Sequence, residues 1–422
     1  MLETLRILTG AMVPCAVLDI DIAEDVGDID IRRADGRPYR SAWILVRRAS
    51  RPIGTVIIKA DNNVLPGAEL VATLCAELSI ARDDTIPELG DDAPTSADIT
   101  VVVCTRERPE ALKRCLGSLA EQEYGSFRLL VIDNAPRTGR TKAVVDELNA
   151  RMSIDYMVEP IPGLARARNR ALVEITSPLI AWIDDDEVAD RWWIRRLVGS
   201  FKDSRVASVC GMMIPAELET DAQAWFEQWG GHSKGRGCSP AEFAVSDIGR
   251  SGALYPLPPF GTGGNMAVRR EAMLKIGGFD EALGAGTPAM GGEDTLALTE
   301  LMLSGTKIVY NPRAITRHYH RVDEESLHKQ LYGYGLGLTA FYTALVMNHP
   351  TVLPGLLGLV PRALRDLHSP TSVRNSGIRE AFPPMLLRAN RRGMLLGPKA
   401  YLERRLQLKH SYRPHRIRVV SR

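Results

Sequence analysis

The chain has 422 residues, 45% of them hydrophobic and 25% charged, with a formal net charge of +2. That length exceeds one ordinary core, so a central domain with an appendage at each end is expected, and the composition excludes fibrous, collagen-like and wholly disordered chains. A net charge so close to zero excludes a global polyanion binder, so no nucleic-acid partner is expected and any basic surface is local.

Cysteines at Cys15, Cys75, Cys104, Cys115, Cys210 and Cys238 show no CxxC spacing. They fit free thiols packed as small core residues in a reducing compartment better than a disulfide framework or a zinc site. The N-terminus has no basic stretch followed by an apolar one, and no run reaches the roughly 18–20 apolar residues of a spanning helix. Residues 336–347 are too few, and residues 353–360 are interrupted by Pro354. A cytoplasmic protein is the expectation.

In chain order, residues 13–22, 43–47 and 55–59 read as short strands, the last beyond the turn signal Arg51-Pro52-Ile53-Gly54, and residues 68–78 have helical spacing. Residues 1–82 are therefore expected to form a small α+β N-terminal domain, followed by an acidic, proline-containing linker over 83–97. From Ile99 the pattern changes. Apolar runs at 99–104, 128–132, 154–158 and 179–183 alternate with helical segments such as 110–121 and 141–150, which predicts an α/β, mostly parallel, doubly wound sheet. Ligands of such sheets bind at the carboxyl ends of the strands.

Four motifs stand at those ends. The first run leads into Thr105-Arg106-Glu107-Arg108-Pro109, where a helix starting at the proline offers amide donors and Arg106 and Arg108 offer cations to an anion. The second ends in Asp133-Asn134, a carboxylate suited to a nucleoside or to capping a helix. Gly163 then precedes a helix carrying Arg166, Arg168 and Arg170, which cannot all face one way, so one or two should point at the site. The fourth run enters Asp184-Asp185-Asp186-Glu187, a cluster that is costly unless a cation offsets it and that suits Mg²⁺ or Mn²⁺. Farther on, Gly263-Gly264-Asn265, Gly292-Glu293-Asp294 and His318-Tyr319-His320-Arg321 add two carboxylates able to serve as a base and imidazoles able to complete a metal shell.

In this order, the motifs over residues 98–321 resemble glycosyltransferase family 2, the inverting nucleotide-sugar glycosyltransferases of GT-A fold. The resemblance implies a GT-A catalytic domain over 98–325, a nucleotide-diphosphate sugar donor and a divalent metal, Mn²⁺ or Mg²⁺. It further implies that Asp133 and Asp184 contact the nucleoside, that Asp186 holds the metal with Asp185 in the variable middle position, and that Asp294 is the base. Glu293 stands as the second candidate for the base, and His318 or His320 as a further metal ligand. The hydroxyl acceptor is left open: lipid-linked, a small molecule or a polysaccharide. A sugar-nucleotide nucleotidyltransferase is disfavoured by the missing glycine run after the first strand, and a non-catalytic binding module by the retained carboxylates.

Residues 326–422 read as a helical, basic extension in which, from Arg388 onward, Glu403 is the single acid. The apolar helices with the basic tail suit peripheral contact with an anionic membrane on its cytoplasmic face, and suit equally well packing on the catalytic domain with a solvated tail.

Overall fold

The structure is a computed structural model of the chain; it describes residues 2–5, 8–60, 63–80, 97–233, 235–369, 372, 375, 377–379 and 381–411. The four apolar runs form β1 (Ile99–Thr105), β2 (Arg128–Asn134), β3 (Asp155–Glu159) and β4 (Leu179–Asp184). They lie in the order β4-β1-β2-β3, all parallel. Helices α1 (Pro109–Ala120), α2 (Arg140–Leu148) and α3 (Leu164–Glu174) connect them. β1 is apolar over Val101–Cys104 because both of its faces are covered: Ile99, Val101 and Val103 join one core cluster, and Val102 and Cys104 the other.

Past β4 the sheet is extended by β5 (Glu187–Ala189), β6 (Val206–Pro215), β7 (Ala241–Phe243), β8 (Asn265–Arg269) and β9 (Lys307–His318), giving nine strands. β8 runs antiparallel between β4 and β6, while β6 and β9 are parallel. This register carries the chemistry to one edge. Asp184 sits opposite Cys104, Thr105 opposite Asp133, Ile183 opposite Asn265, and Glu187 opposite His318. Motifs separated by more than a hundred residues thus end on one line because the strands that carry them are neighbours.

The N-terminal residues build a separate four-stranded sheet of Thr4–Leu5, Arg51–Lys59, Ser41–Arg48 and Cys15–Asp21, with the helix Gly67–Glu77 against it. The strand Ser41–Arg48 is buried along its whole length. Ala42, Ile44 and Val46 pack with Leu70 and Leu74 of that helix, whereas Trp43 and Leu45 join the cluster that holds Val102 and Trp182 of the central sheet. The turn expected at Arg51-Pro52-Ile53-Gly54 lies instead at Ala49 and Ser50, whose φ angles are 48° and 63°, and Arg51 begins the next strand. Pro52 is accommodated where the pairing register with Arg47 shifts. Of the linker, only Ala97 lies within the described residues.

Helix α4 (Glu293–Leu303) precedes β9, and α5 (Glu324–Asn348), α6 (Leu353–His368) and α7 (Pro384–Ser411) follow it. Glycines let α5 and α7 approach closely: a Cβ on Gly335 would lie 2.0 Å from the Asn390 carbonyl, and one on Gly393 would lie 2.2 Å from that of Tyr332. On its other side, α5 meets the turn that starts α4, where a Cβ on Gly292 would lie 2.6 Å from the Gly337 carbonyl. The C-terminal helices therefore buttress Glu293 and Asp294. Among the described residues no single helix is long and apolar enough to cross a membrane. The end of the basic tail, 412–422, lies outside the described residues.

Candidate active site

Asp184, Asp185 and Asp186 leave the end of β4 and part in three directions. Asp185 is buried; it accepts hydrogen bonds from the Thr105 hydroxyl at 2.7 Å and from Arg108 at 3.0 Å. Burial, followed by its neighbour Asp186, raises its pKa to about 6 against the opposing pull of Arg108 and Thr105. Asp186 accepts a second bond from Arg108 at 3.0 Å, with Arg321 at 3.6 Å and His318 Nε2 at 3.5 Å. Burial pushes the Asp186 pKa up, yet the nearby cations hold it below the ordinary carboxylate range. A protonated His318 would contribute to that, but burial lowers the His318 pKa to about 3. Near neutral pH the guanidinium groups of Arg108 and Arg321 carry the effect.

Asp184 turns the other way, to Arg168 at 3.3 Å. Arg168 is wholly enclosed and also donates to Glu293 at 3.1 Å and to the Gly263 carbonyl at 3.1 Å. The Gly263 amide donates in turn to Asp294 at 2.8 Å, and the other Asp294 oxygen accepts from the Thr295 amide at 2.7 Å. One guanidinium therefore joins the aspartate triplet to the Glu293-Asp294 pair. Burial, followed by the Asp294 charge, raises the Glu293 pKa to about 7 even with Arg168 beside it. Gly264 leaves room for the acids: a Cβ there would lie 2.1 Å from Glu187 Oε1 and 2.8 Å from Asp184 Oδ2. Glu187 is buried and its carboxyl is pushed well above the usual range, first by burial and then by Asp184.

Asp133, at the end of β2, accepts from the Tyr156 hydroxyl at 2.8 Å through one oxygen, while its other oxygen is buried near the Thr141 hydroxyl, too far for a well-formed hydrogen bond. Burial raises its pKa. An orphaned buried acceptor of this kind is costly unless a ligand donor meets it. Asn134 receives the Gly163 amide at 2.9 Å and donates to the Ile161 carbonyl at 2.8 Å, which fixes the start of α3. Gly163 itself has φ 148°, a conformation that favours glycine.

The arginines of α3 divide as their spacing requires. Arg168 points into the site, whereas buried Arg166 pairs with Glu159 at 3.4 Å and Glu281 at 2.7 Å. Arg106 is partly buried in the bend after β1. His320 faces Glu227 at 2.8 Å and His318 at 2.9 Å. Sequence reasoning assigned no role to Glu227 or His232, and gave Glu187 and Arg321 none beyond their places in motifs. The His232 ring lies tilted by 58° against that of His318, with centroids 4.3 Å apart. No local spacing announces Glu227 or His232, since each meets the His318–His320 segment from far away in sequence.

Residues 100–277 match the family described as Glycosyl transferase family 2. This region belongs to glycosyltransferase family 2. The match ends before Glu293-Asp294 and His318-Tyr319-His320, which the fold brings back to the matched part. The chain is 27% identical over 234 residues to a pre-mycofactocin glycosyltransferase of Mycobacterium tuberculosis, covering 54% of this chain and 44% of that one. It is 29% identical over 221 residues to the succinoglycan biosynthesis protein ExoM of Rhizobium meliloti, covering 51% and 65%. It thus spans about half to two thirds of the length of these curated relatives. A solved mannosyltransferase from Pyrobaculum calidifontis, in complex with GDP-Man and Mn²⁺, aligns over 76% of this chain and 90% of its own at 18% identity and a TM-score of 0.45.

Proposed function

We propose that this family 2 chain transfers a sugar from a nucleotide-diphosphate donor to an acceptor hydroxyl by a single, inverting displacement. The observation that supports it most is the convergence on Arg168 of Asp184, at the end of β4, with Glu293 beside Asp294 at the start of α4.

Asp133, with its orphaned acceptor, and Asp184 would receive donor groups of the nucleoside. Arg106 and Arg108, beside Thr105 at the start of α1, offer positive charge to the diphosphate, and Gly163 allows close approach at the start of α3. Arg168, tied to three partners, positions carboxylates rather than gripping the donor itself. Asp185 and Asp186, which share Arg108, supply carboxylate oxygens of the kind that a hard divalent ion such as Mn²⁺ or Mg²⁺ takes. Asp186 would hold it, with His318 the nearer imidazole and His320 behind. When bound, such an ion offsets charge on the departing diphosphate. Asp294 is the base: its carboxylate is fixed by the Gly263 and Thr295 amides, and it would take the acceptor proton as the new C–O bond forms and the sugar–phosphate bond breaks. Glu293, buried on Arg168, keeps Asp294 in register. Inversion follows from attack opposite the leaving group, with no enzyme-bound sugar.

Leu353, Leu357, Val360 and Leu364 line an exposed stripe on α6 next to exposed Arg362 and Arg365. The stripe favours a lipid-linked acceptor presented at an anionic cytoplasmic membrane face.

The test is a panel of nucleotide-diphosphate sugars with Mn²⁺ or Mg²⁺, monitored for released nucleoside diphosphate. Slow metal-dependent hydrolysis of one donor is expected, abolished by excess chelator. Failure of every donor to be bound or hydrolysed would refute the reading, and full turnover in chelator would remove the metal from it.

A further inference from the structure

Residues 229–240 leave the helix Asp221–Gln228 and lead into β7. Gly230 and Gly237, with φ angles of 107° and 69°, let the chain fold back on itself. The Arg236 amide donates to the Ser233 carbonyl at 2.9 Å, and the Tyr310 hydroxyl on β9 pins the far side by donating to the Gly237 carbonyl at 2.9 Å. This loop presents the side chain of Arg236, which is partly buried. Its guanidinium donates to the His232 carbonyl, and among the described residues no carboxylate pairs with it. A guanidinium has five donors, so Arg236 keeps donors to spare.

The surroundings of Arg236 place it beside the base. Burial pulls its pKa down, and Tyr310, Cys210 and Asp294 act in the opposite direction. Burial pushes the Cys210 thiol up to about 12 and raises the Tyr310 phenol as well, so the negative charge that Arg236 faces is that of Asp294. The same corner holds an unmet hydroxyl. Gly261 presses on β6, where a Cβ on it would lie 2.1 Å from that of Cys210, and the Gly263 amide donates to Asp294 at 2.8 Å. Thr262 lies between these two glycines, and its buried hydroxyl has no hydrogen-bond partner among the described residues. Arg236 and Thr262 therefore share both neighbours, Cys210 and Asp294.

We propose that Arg236 and Thr262 receive an oxyanion carried by the acceptor, a phosphate or a carboxylate, next to the hydroxyl that Asp294 deprotonates. The proposal rests on the reading of Asp294 as the base, and it narrows the acceptor from any hydroxyl compound to an anionic one. A planar guanidinium matches either oxyanion with two parallel N–H donors, and the Thr262 hydroxyl supplies a third. An anion so near the Asp294 carboxylate is repelled unless a cation stands beside it, and Arg236 is that cation. The diphosphate of the donor has a cation of its own, since Arg108 stands in the field of Asp185, Asp186 and Asp184. A phosphate would be that of a lipid carrier, and a carboxylate that of an acidic sugar.

The experiment titrates the full chain by calorimetry with glucose 6-phosphate, glucuronate and methyl glucoside, with no sugar donor present. One of the two anionic sugars should bind at least about tenfold more tightly than the neutral one, and which of them does so distinguishes phosphate from carboxylate. Arg236→Gln should weaken that binding about 10- to 100-fold, and Thr262→Val should weaken it to a smaller extent. Nucleoside diphosphate affinity in Mn²⁺ should stay within about threefold of the parent in Arg236→Gln, because the donor has other cations. Should Arg236→Gln fail to fold, Arg236→Lys decides in its place: it keeps the charge, loses the fork and should lose most of the preference. Equal affinity for charged and neutral sugars, or no binding of either anionic sugar, would overturn the proposal, as would a preference that survives Arg236→Gln. A loss of nucleoside diphosphate binding as large as the loss of the anionic sugar would also overturn it, since the arginine would then serve the donor. The sugar titration needs no transfer, so its failure and that of the transfer reading are separate results.

Discussion

Glu293 and Asp294 are adjacent in sequence yet sit in different surroundings. Glu293 is buried on Arg168, and its pKa of about 7 lies above its ordinary 4.5. Between those values the folded chain retains a proton that the unfolded chain has released, so stability falls as pH rises through this window. Glu293→Gln keeps a neutral group there at every pH. The melting temperature of that variant should therefore fall less than that of the parent between about pH 5 and 8, each pKa unit being worth about 1.4 kcal/mol; identical slopes in thermal scans would contradict the assignment. Asp185, raised to about 6, has the same sign and should leave a residual slope in both proteins. Asp133→Ala removes the buried acceptor proposed for the nucleoside, and calorimetry should find nucleoside diphosphate binding weakened by about 1–3 kcal/mol. Unaltered binding would move the nucleoside elsewhere. Asp133 and Asp185 were legible in the sequence because each follows an apolar run, and Glu293 and Asp294 because glycine precedes them. Their pairing with Arg168 was not, because helical spacing shows only that Arg166, Arg168 and Arg170 diverge.

The strands were legible for the same reason that they are stable. Runs such as Val101-Val102-Val103 are buried on both faces and have no polar alternation to confuse them. The error came where local turn chemistry lost to the ladder: Pro52 and Gly54 lie within a strand, and the reversal falls on Ala49 and Ser50. The mixed half of the sheet was illegible, since β5, β7 and β8 are short and only pairing defines them. Gly264, at the entry to β8, shows how an element constrains the site. A Cβ there would collide with Glu187 and Asp184, so Gly264→Ala should destabilise the chain by about 1–3 kcal/mol in denaturant titrations and impair donor binding as well. A variant with parental stability and affinity would show that the acids can give way.

At the scale of the molecule, the terminal segments are joined to the catalytic sheet by packing that no local pattern reveals. Trp43 and Leu45 share a core with Val102 and Trp182, and Arg47 reaches both Asp19, at 2.6 Å, and Asp190, at 2.9 Å. The α5 helix holds the Gly292 turn against Gly337. Exposure of the α6 stripe makes a separate prediction: liposomes containing anionic lipid should co-sediment the chain, and Leu357→Glu with Leu364→Glu should abolish that while leaving the fold intact. Equal sedimentation of parent and variant would exclude α6 as the contact. The central claim, that the two carboxylate groups on either side of Arg168 form one reaction centre, is tested most directly by measuring donor affinity and transfer rate together in Asp294→Asn. Affinity within about threefold of the parent and transfer reduced about 10²- to 10⁴-fold is the predicted result, and near-parental turnover would contradict it.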